Sequence, residues 1–150
     1  MSVSPVLQAL RAATADQHRR LEEGARVESR LRDPLGRREV LSRLHQLHAA
    51  VERVVAPWAA PMAAAGYAPW SRSPGIAAGL RAMGASPPAP RDAPPAARLG
   101  GAIGWTYVAD GSALGGRVMR RAMIADGVDL TGLDFLDPHG DETGPRWRAF

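Results

Sequence analysis

The sequence predicts an all-α fold. Apolar residues recur at three- and four-residue spacing through most of the chain, no stretch alternates apolar and polar residues as a half-buried strand does, and Ser-Pro, Gly and Pro signals bound the periodic runs. The 150 residues suit a single domain spanning 1–150, large enough to bury about two-thirds of its unfolded surface.

Ser4-Pro5 supplies a cap followed by proline at the first helical position, so the first helix is expected to run to about Glu23, before Gly24. Its apolar face is Val6, Leu7, Leu10, Ala13, Thr14, Gln17 and Leu21. A second helix, about Arg37 to Ala56, places Val40, Leu41, Leu44, Leu47, Val51 and Val55 on one side and ends at Pro57. Pro57 to Trp70 reads as a short helix or turn-rich connector, and a modest helix follows from about Ser73 to Met83. "SPPAPRDAPPA", Ser86 to Ala96, is a proline-rich loop. A glycine-bearing helix is expected from about Ala97 to Ala125, then the irregular loop "DGVDLTGLDFLDPHGDETG", and "PRWRAF" opens one more helix.

Composition removes several function classes. Cysteine is absent, which excludes disulfides, thiolate metal sites and a cysteine nucleophile and suits a reducing cytoplasm. All 19 basic residues are arginines, scattered among 15 acidic ones with no run longer than a pair such as Arg37-Arg38 or Arg120-Arg121, so no nucleic-acid-binding stripe is expected. The N-terminal stretch lacks the apolar core of a secretory signal. Pro57, Pro61, Gly66 and Pro69 interrupt the one long uncharged run, Val54 to Ser71, so no membrane span is expected either.

The glycine-bearing helix poses the main question. Six glycines lie between Gly100 and Gly116. At about 0.5 to 1 kcal/mol each relative to alanine they weaken the helix by about 3 to 6 kcal/mol. Gly100, Gly104, Gly111 and Gly115 share one face, a strip nearly free of side chains. Either a neighbouring helix packs very close to it or a ligand touches the backbone, and the pattern alone leaves both open.

On the first helix His18 sits about 80° from the centre of the apolar face, at its border. Arg11 lies two turns earlier on the same side, about 10 Å along the axis. The pair suits a flat anionic ligand held by its metal and its acidic rim, or simply a half-buried histidine beside a solvated arginine. His45, His48 and Glu52 share one side of the second helix at metal-ligand spacing, yet His48 also falls within the leucine and valine stripe. His139, in a Gly/Asp/Pro loop, is expected to be solvated.

"LRAATADQHRRLE" (Leu10 to Glu22), "TYVADGSALGGRVMRR" (Thr106 to Arg121) and "GDETGPRWRAF" (Gly140 to Phe150) together resemble the heme oxygenase family, in particular its short biliverdin-producing bacterial branch associated with phytochromes. The resemblance implies a multi-helical bundle with a kinked, glycine-rich distal helix, and oxidative cleavage of heme to biliverdin, CO and iron with heme as both substrate and cofactor. It implies His18 as the proximal iron ligand and Arg11 as a propionate contact. Arg146 and Arg148 fall where further propionate-facing bases occur, and Tyr107 at an aromatic position near the distal pocket. Gly111, Ser112, Gly115 and Gly116 match the distal catalytic segment, whose bare backbone lies over the oxygen-binding side of the heme.

Ser112 stands where some relatives have aspartate, and Asp110 where this branch usually has glutamate. The second helix lacks the tyrosine and phenylalanine of the family. Relatives continue for several turns beyond "RWRAF", so the resemblance implies an incomplete C-terminal helix. With no flavin or nicotinamide fingerprint, it also implies a separate electron donor, a reductase or ferredoxin, and a bacterial phytochrome as product acceptor. A heme-binding protein without turnover, or a degenerate fragment, is the alternative.

Overall fold

The structure, a computed structural model, describes residues 5–149. Among them it contains seven α-helices and no strand, in agreement with the all-α expectation. They are α1 (Pro5–Ala25), α2 (Val27–Arg32), α3 (Pro34–Val55), α4 (Ala59–Ala64), α5 (Ser73–Ala82), α6 (Leu99–Ala125) and α7 (Thr143–Ala149). Single 3-10 turns at Ala56–Trp58, Asp134–Leu136 and Gly140–Glu142 complete the chain. The Ser4 cap, the side chain of Val6 and Phe150 lie outside the described residues.

Three boundaries differ from the sequence reading, each for a local reason. α1 runs through Gly24 and ends where Arg26 adopts a left-handed φ of 47°, a conformation that breaks a right-handed helix. α2, absent from the sequence reading, is a six-residue helix that inserts Leu31 fully into the core. α3 begins at Pro34 rather than Arg37, because the Asp33 carboxylate accepts from the Gly36 amide at 2.7 Å and Pro34 stands in the first turn. Arg37 is consequently an interior residue. It is buried and donates from Nε to the Leu31 carbonyl (2.7 Å) and from Nη1 to the Thr131 carbonyl (3.0 Å), fastening α2 to the loop after α6.

Two apolar clusters organise the body. The first joins Leu31, Val40, Leu41, Ile76, Leu80, Met123 and the Leu133–Leu136 turn. Gly79 and Gly132 permit the close approach this requires: a Cβ on Gly79 would stand 2.3 Å from the Gly132 carbonyl oxygen, so two backbones touch there. The second cluster joins Val51, Val55 and Met62 to Ala102 and Ala109 of α6, with Trp58, Tyr67, Leu99 and Ile103 at its margin. Of the stripe expected on α3, Val40, Leu41, Val51 and Val55 are buried, whereas Leu47 is exposed.

α1 stands apart. Arg11 through Gly24 are all exposed, Leu21 among them, and among the described residues α1 shares no extensive helix–helix contact. None of the helices among these residues is long and apolar enough to cross a membrane.

Candidate functional site

α6 presents two different faces. One turns into the body and buries Ala102, Thr106, Ala109, Asp110, Ala113, Gly116 and Met123. The other carries the glycine strip, and along it Val108 and Val118 are 57% and 69% exposed.

The glycines divide by what surrounds them. A Cβ on Gly100, Gly104 or Gly115 would meet no atom within 4 Å. On Gly116 it would stand 2.6 Å from the Leu136 carbonyl oxygen, so this glycine serves close packing. On Gly111 it would stand 3.2 Å from the Trp147 indole, which also lies against Tyr107 at 5.6 Å between ring centroids. Close helix packing and an open backbone strip therefore both occur, at different glycines of one helix.

Beneath this helix lies a buried polar layer between the two apolar clusters. Asp110 is buried and accepts from the Tyr67 hydroxyl. Burial raises its pKa from 3.8 to about 6, against the lowering effects of the Tyr67 hydrogen bond, Arg72 and Arg146. The phenol of Tyr67 is itself pushed well above its ordinary range, by burial first and by the Asp110 carboxylate second. Arg72 is also buried, and its guanidinium donates to the carbonyls of Ala109 (3.2 Å) and Phe135 (3.1 Å) and to Ser112 Oγ. His48 closes the layer; burial, and then the Arg72 charge, lower its pKa to about 3, so its ring is neutral at physiological pH. His48, Glu52, Trp70, Thr106 and Asp110 line a cavity of about 180 Å3.

The metal site considered for His45, His48 and Glu52 does not form. Among the described residues no three histidine or carboxylate side chains gather to hold an ion. Glu52 instead holds the start of α5, accepting from the amides of Arg72 (2.7 Å) and Ser73 (2.8 Å) and the hydroxyls of Ser71 (3.1 Å) and Ser73 (2.5 Å). His139, expected to be solvated, is half-exposed. It packs edge-on against Trp70, 4.3 Å between centroids, and Arg146 lies 4.9 Å from a Trp70 ring centroid. Such a cation–ring contact contributes about 0.5 to 2 kcal/mol.

The remaining candidates lie on open surface. Arg11, His18 and Arg148 are exposed, as is Arg146 apart from its Trp70 contact. His18 pairs through Nδ1 with the Glu22 carboxylate at 3.4 Å, one turn further along α1. A carboxylate beside a ring nitrogen is a common neighbour of an imidazole that binds a metal. The His18–Glu22 spacing of four residues was legible in the sequence; the Tyr67–Asp110 and Arg72–Ser112 contacts, across 43 and 40 residues, were not. α1 is exposed from Arg11 to Gly24, and the strip is open at Gly100, Gly104 and Gly115.

Asp110 makes a pH-dependent prediction. Its folded pKa lies above the ordinary value, so the fold holds the protonated form better. That stability is complete below about pH 4 and is lost as pH rises through about 6. Relative to wild type, Asp110→Asn is expected to gain about 1 to 3 kcal/mol between pH 4 and pH 7.5. Urea denaturation at both pH values measures this; an equal difference at the two would remove Asp110 as a titrating core group.

Comparison with known proteins follows this geometry. The chain is 32% identical over 115 residues to a curated protein of Xanthomonas campestris pv. campestris (strain 8004) named heme oxygenase, an overlap of 75% of this chain and 67% of that protein. No protein-family model matches the chain, and no solved structure does.

Proposed function

The chain belongs to the heme oxygenase family, and from that premise we propose that it cleaves heme to biliverdin, CO and iron in the cytoplasm, with Gly104, Gly115 and His18 as the surfaces that receive the substrate. The observation that carries this reading is the open strip on α6. At Gly104 and Gly115 the backbone meets open space, and the exposed Val108 and Val118 extend an apolar surface of the kind a porphyrin face covers.

The donor set also fits. His18 offers an exposed imidazole beside Glu22, and Arg11, Arg146 and Arg148 offer guanidinium groups for the two propionates. Heme, when bound, supplies the iron at which dioxygen is activated. What the chain contributes is position. His18 would hold the heme through its imidazole, the open backbone at Gly104 and Gly115 would let α6 approach the ring closely, and Ser112 would place a hydroxyl beside that strip. Tyr107 and Trp147 wall the strip at Gly111. Electrons come from a separate reductase or ferredoxin, and a bacterial phytochrome is a fitting acceptor of the product.

A second reading, a heme binder without turnover, is favoured by the Trp147 indole lying over Gly111. One experiment separates them. Hemin added to the purified chain is expected to give a sharp Soret band, and ascorbate or a reductase is then expected to replace that band with the broad red absorption of biliverdin. A stable reduced complex would instead establish the binder.

A further inference from the structure

Arg72 ties the glycine-bearing segment to the rest of the fold. Its backbone amide is held by Glu52 of α3. Its buried guanidinium reaches Ala109 and Ser112 of α6 through Nη1 and the Phe135 carbonyl through Nη2. The Ser112 hydroxyl donates to the same Ala109 carbonyl at 2.7 Å, so two side-chain donors converge on one mid-helix carbonyl two residues before Gly111. Extra donors on a helical carbonyl draw it outward and bend the helix locally. The turn that Arg72 grips is also the one that Gly116 approaches through the neighbouring Leu136 carbonyl. Meanwhile Arg72 Nε is buried with no hydrogen-bond partner, an arrangement that costs stability and is imposed by where the other two nitrogens must go.

We propose that Arg72 is the positioning residue of the distal segment: its fork joins Ala109, Ser112 and Phe135 and thereby sets the height and tilt at which the backbone of Gly111 to Gly115 is offered to the substrate. The functional half of this statement rests on the heme oxygenase reading; the structural half does not. Lysine retains the charge but not the planar fork, so it does not reproduce the separate Nη1 and Nη2 bonds to Ala109 and Phe135.

The test uses the full chain carrying Arg72→Lys, with Ser112→Ala as a milder variant that removes one link from the helix surface. Amide hydrogen exchange without heme is expected to quicken at least about tenfold at Gly111 to Gly116 in Arg72→Lys, with Val40 to Val51 of α3 unchanged, and to quicken less in Ser112→Ala. No quickening, or an equal quickening throughout the fold, overturns the proposal. With heme and reductant, both variants are expected to change the ratio of biliverdin isomers, a quantity that a mere loss of folded protein does not move. An unchanged ratio in both removes the functional half. A wild-type chain that does not consume heme defeats the heme oxygenase reading and leaves the exchange result to judge the positioning role.

Discussion

His18→Ala is expected to abolish the sharp Soret band that hemin gives with the wild-type chain. The argument depends on where the side chain sits. His18 is 70% exposed, its recorded contact is Glu22, and the surrounding stretch of α1 is exposed throughout. Alanine is the better helix former, so circular dichroism should show α1 undiminished and the melting temperature unchanged within about 1 °C, since no buried contact is lost. Loss of the band is then loss of a ligand rather than loss of a fold. Glu22→Gln supplies a graded control: it keeps the side chain's size and weakens only the hold on Nδ1, so hemin affinity should fall about tenfold or more, as for other carboxylates behind a ligating histidine. An unaltered spectrum in His18→Ala would move the ligand elsewhere, and His48 is a poor substitute because its ring is buried beside the Arg72 cation.

The contrast between His18 and Arg72 shows what the sequence disclosed. Helical periodicity located α3, α5 and α6 to within a few residues, because each buries several apolar residues at helical spacing. α2 went unseen: six residues carry only Val27 and Leu31 at helical spacing, and its stability comes from packing under α3 rather than from its own pattern. The glycine strip was readable as a strip. Which glycine packs and which stays open depends on Leu136 and Trp147, 20 and 36 residues further along the chain from Gly116 and Gly111. The polar layer was hidden for the same reason. Asp110 and Arg72 look like ordinary charged residues in a sequence, and only the fold places them under α6 beside Tyr67 and Ser112. His48 shows the reverse case, since its place in the leucine and valine stripe of α3 already indicated burial.

The adjacent glycines of α6 should respond to substitution in opposite ways. Gly116→Ala is a folding variant: its Cβ would meet the Leu136 carbonyl oxygen at 2.6 Å, and a backbone atom cannot swing aside as a side chain can. Helix propensity favours alanine by about 1 kcal/mol, whereas forced displacement in a packed interior costs about 1 to 3 kcal/mol. Net destabilisation is expected, and with it a melting temperature lower by a few degrees. Gly115→Leu enters open space, with no atom within 4 Å of the added Cβ. Without heme this variant should melt at or slightly above the wild-type temperature, since leucine is the better helix former. Its side chain nevertheless rises from the strip proposed to face the porphyrin, so turnover should fall at least about tenfold, a loss of about 1.4 kcal/mol or more in transition-state stabilisation. Separation of the two effects, folding at Gly116 and turnover at Gly115, is the decisive pattern. If Gly115→Leu consumes heme at the wild-type rate, the strip is not the substrate face. If it loses stability and turnover in equal measure, the glycine serves packing as Gly116 does, and the whole pattern of α6 returns to a structural cause.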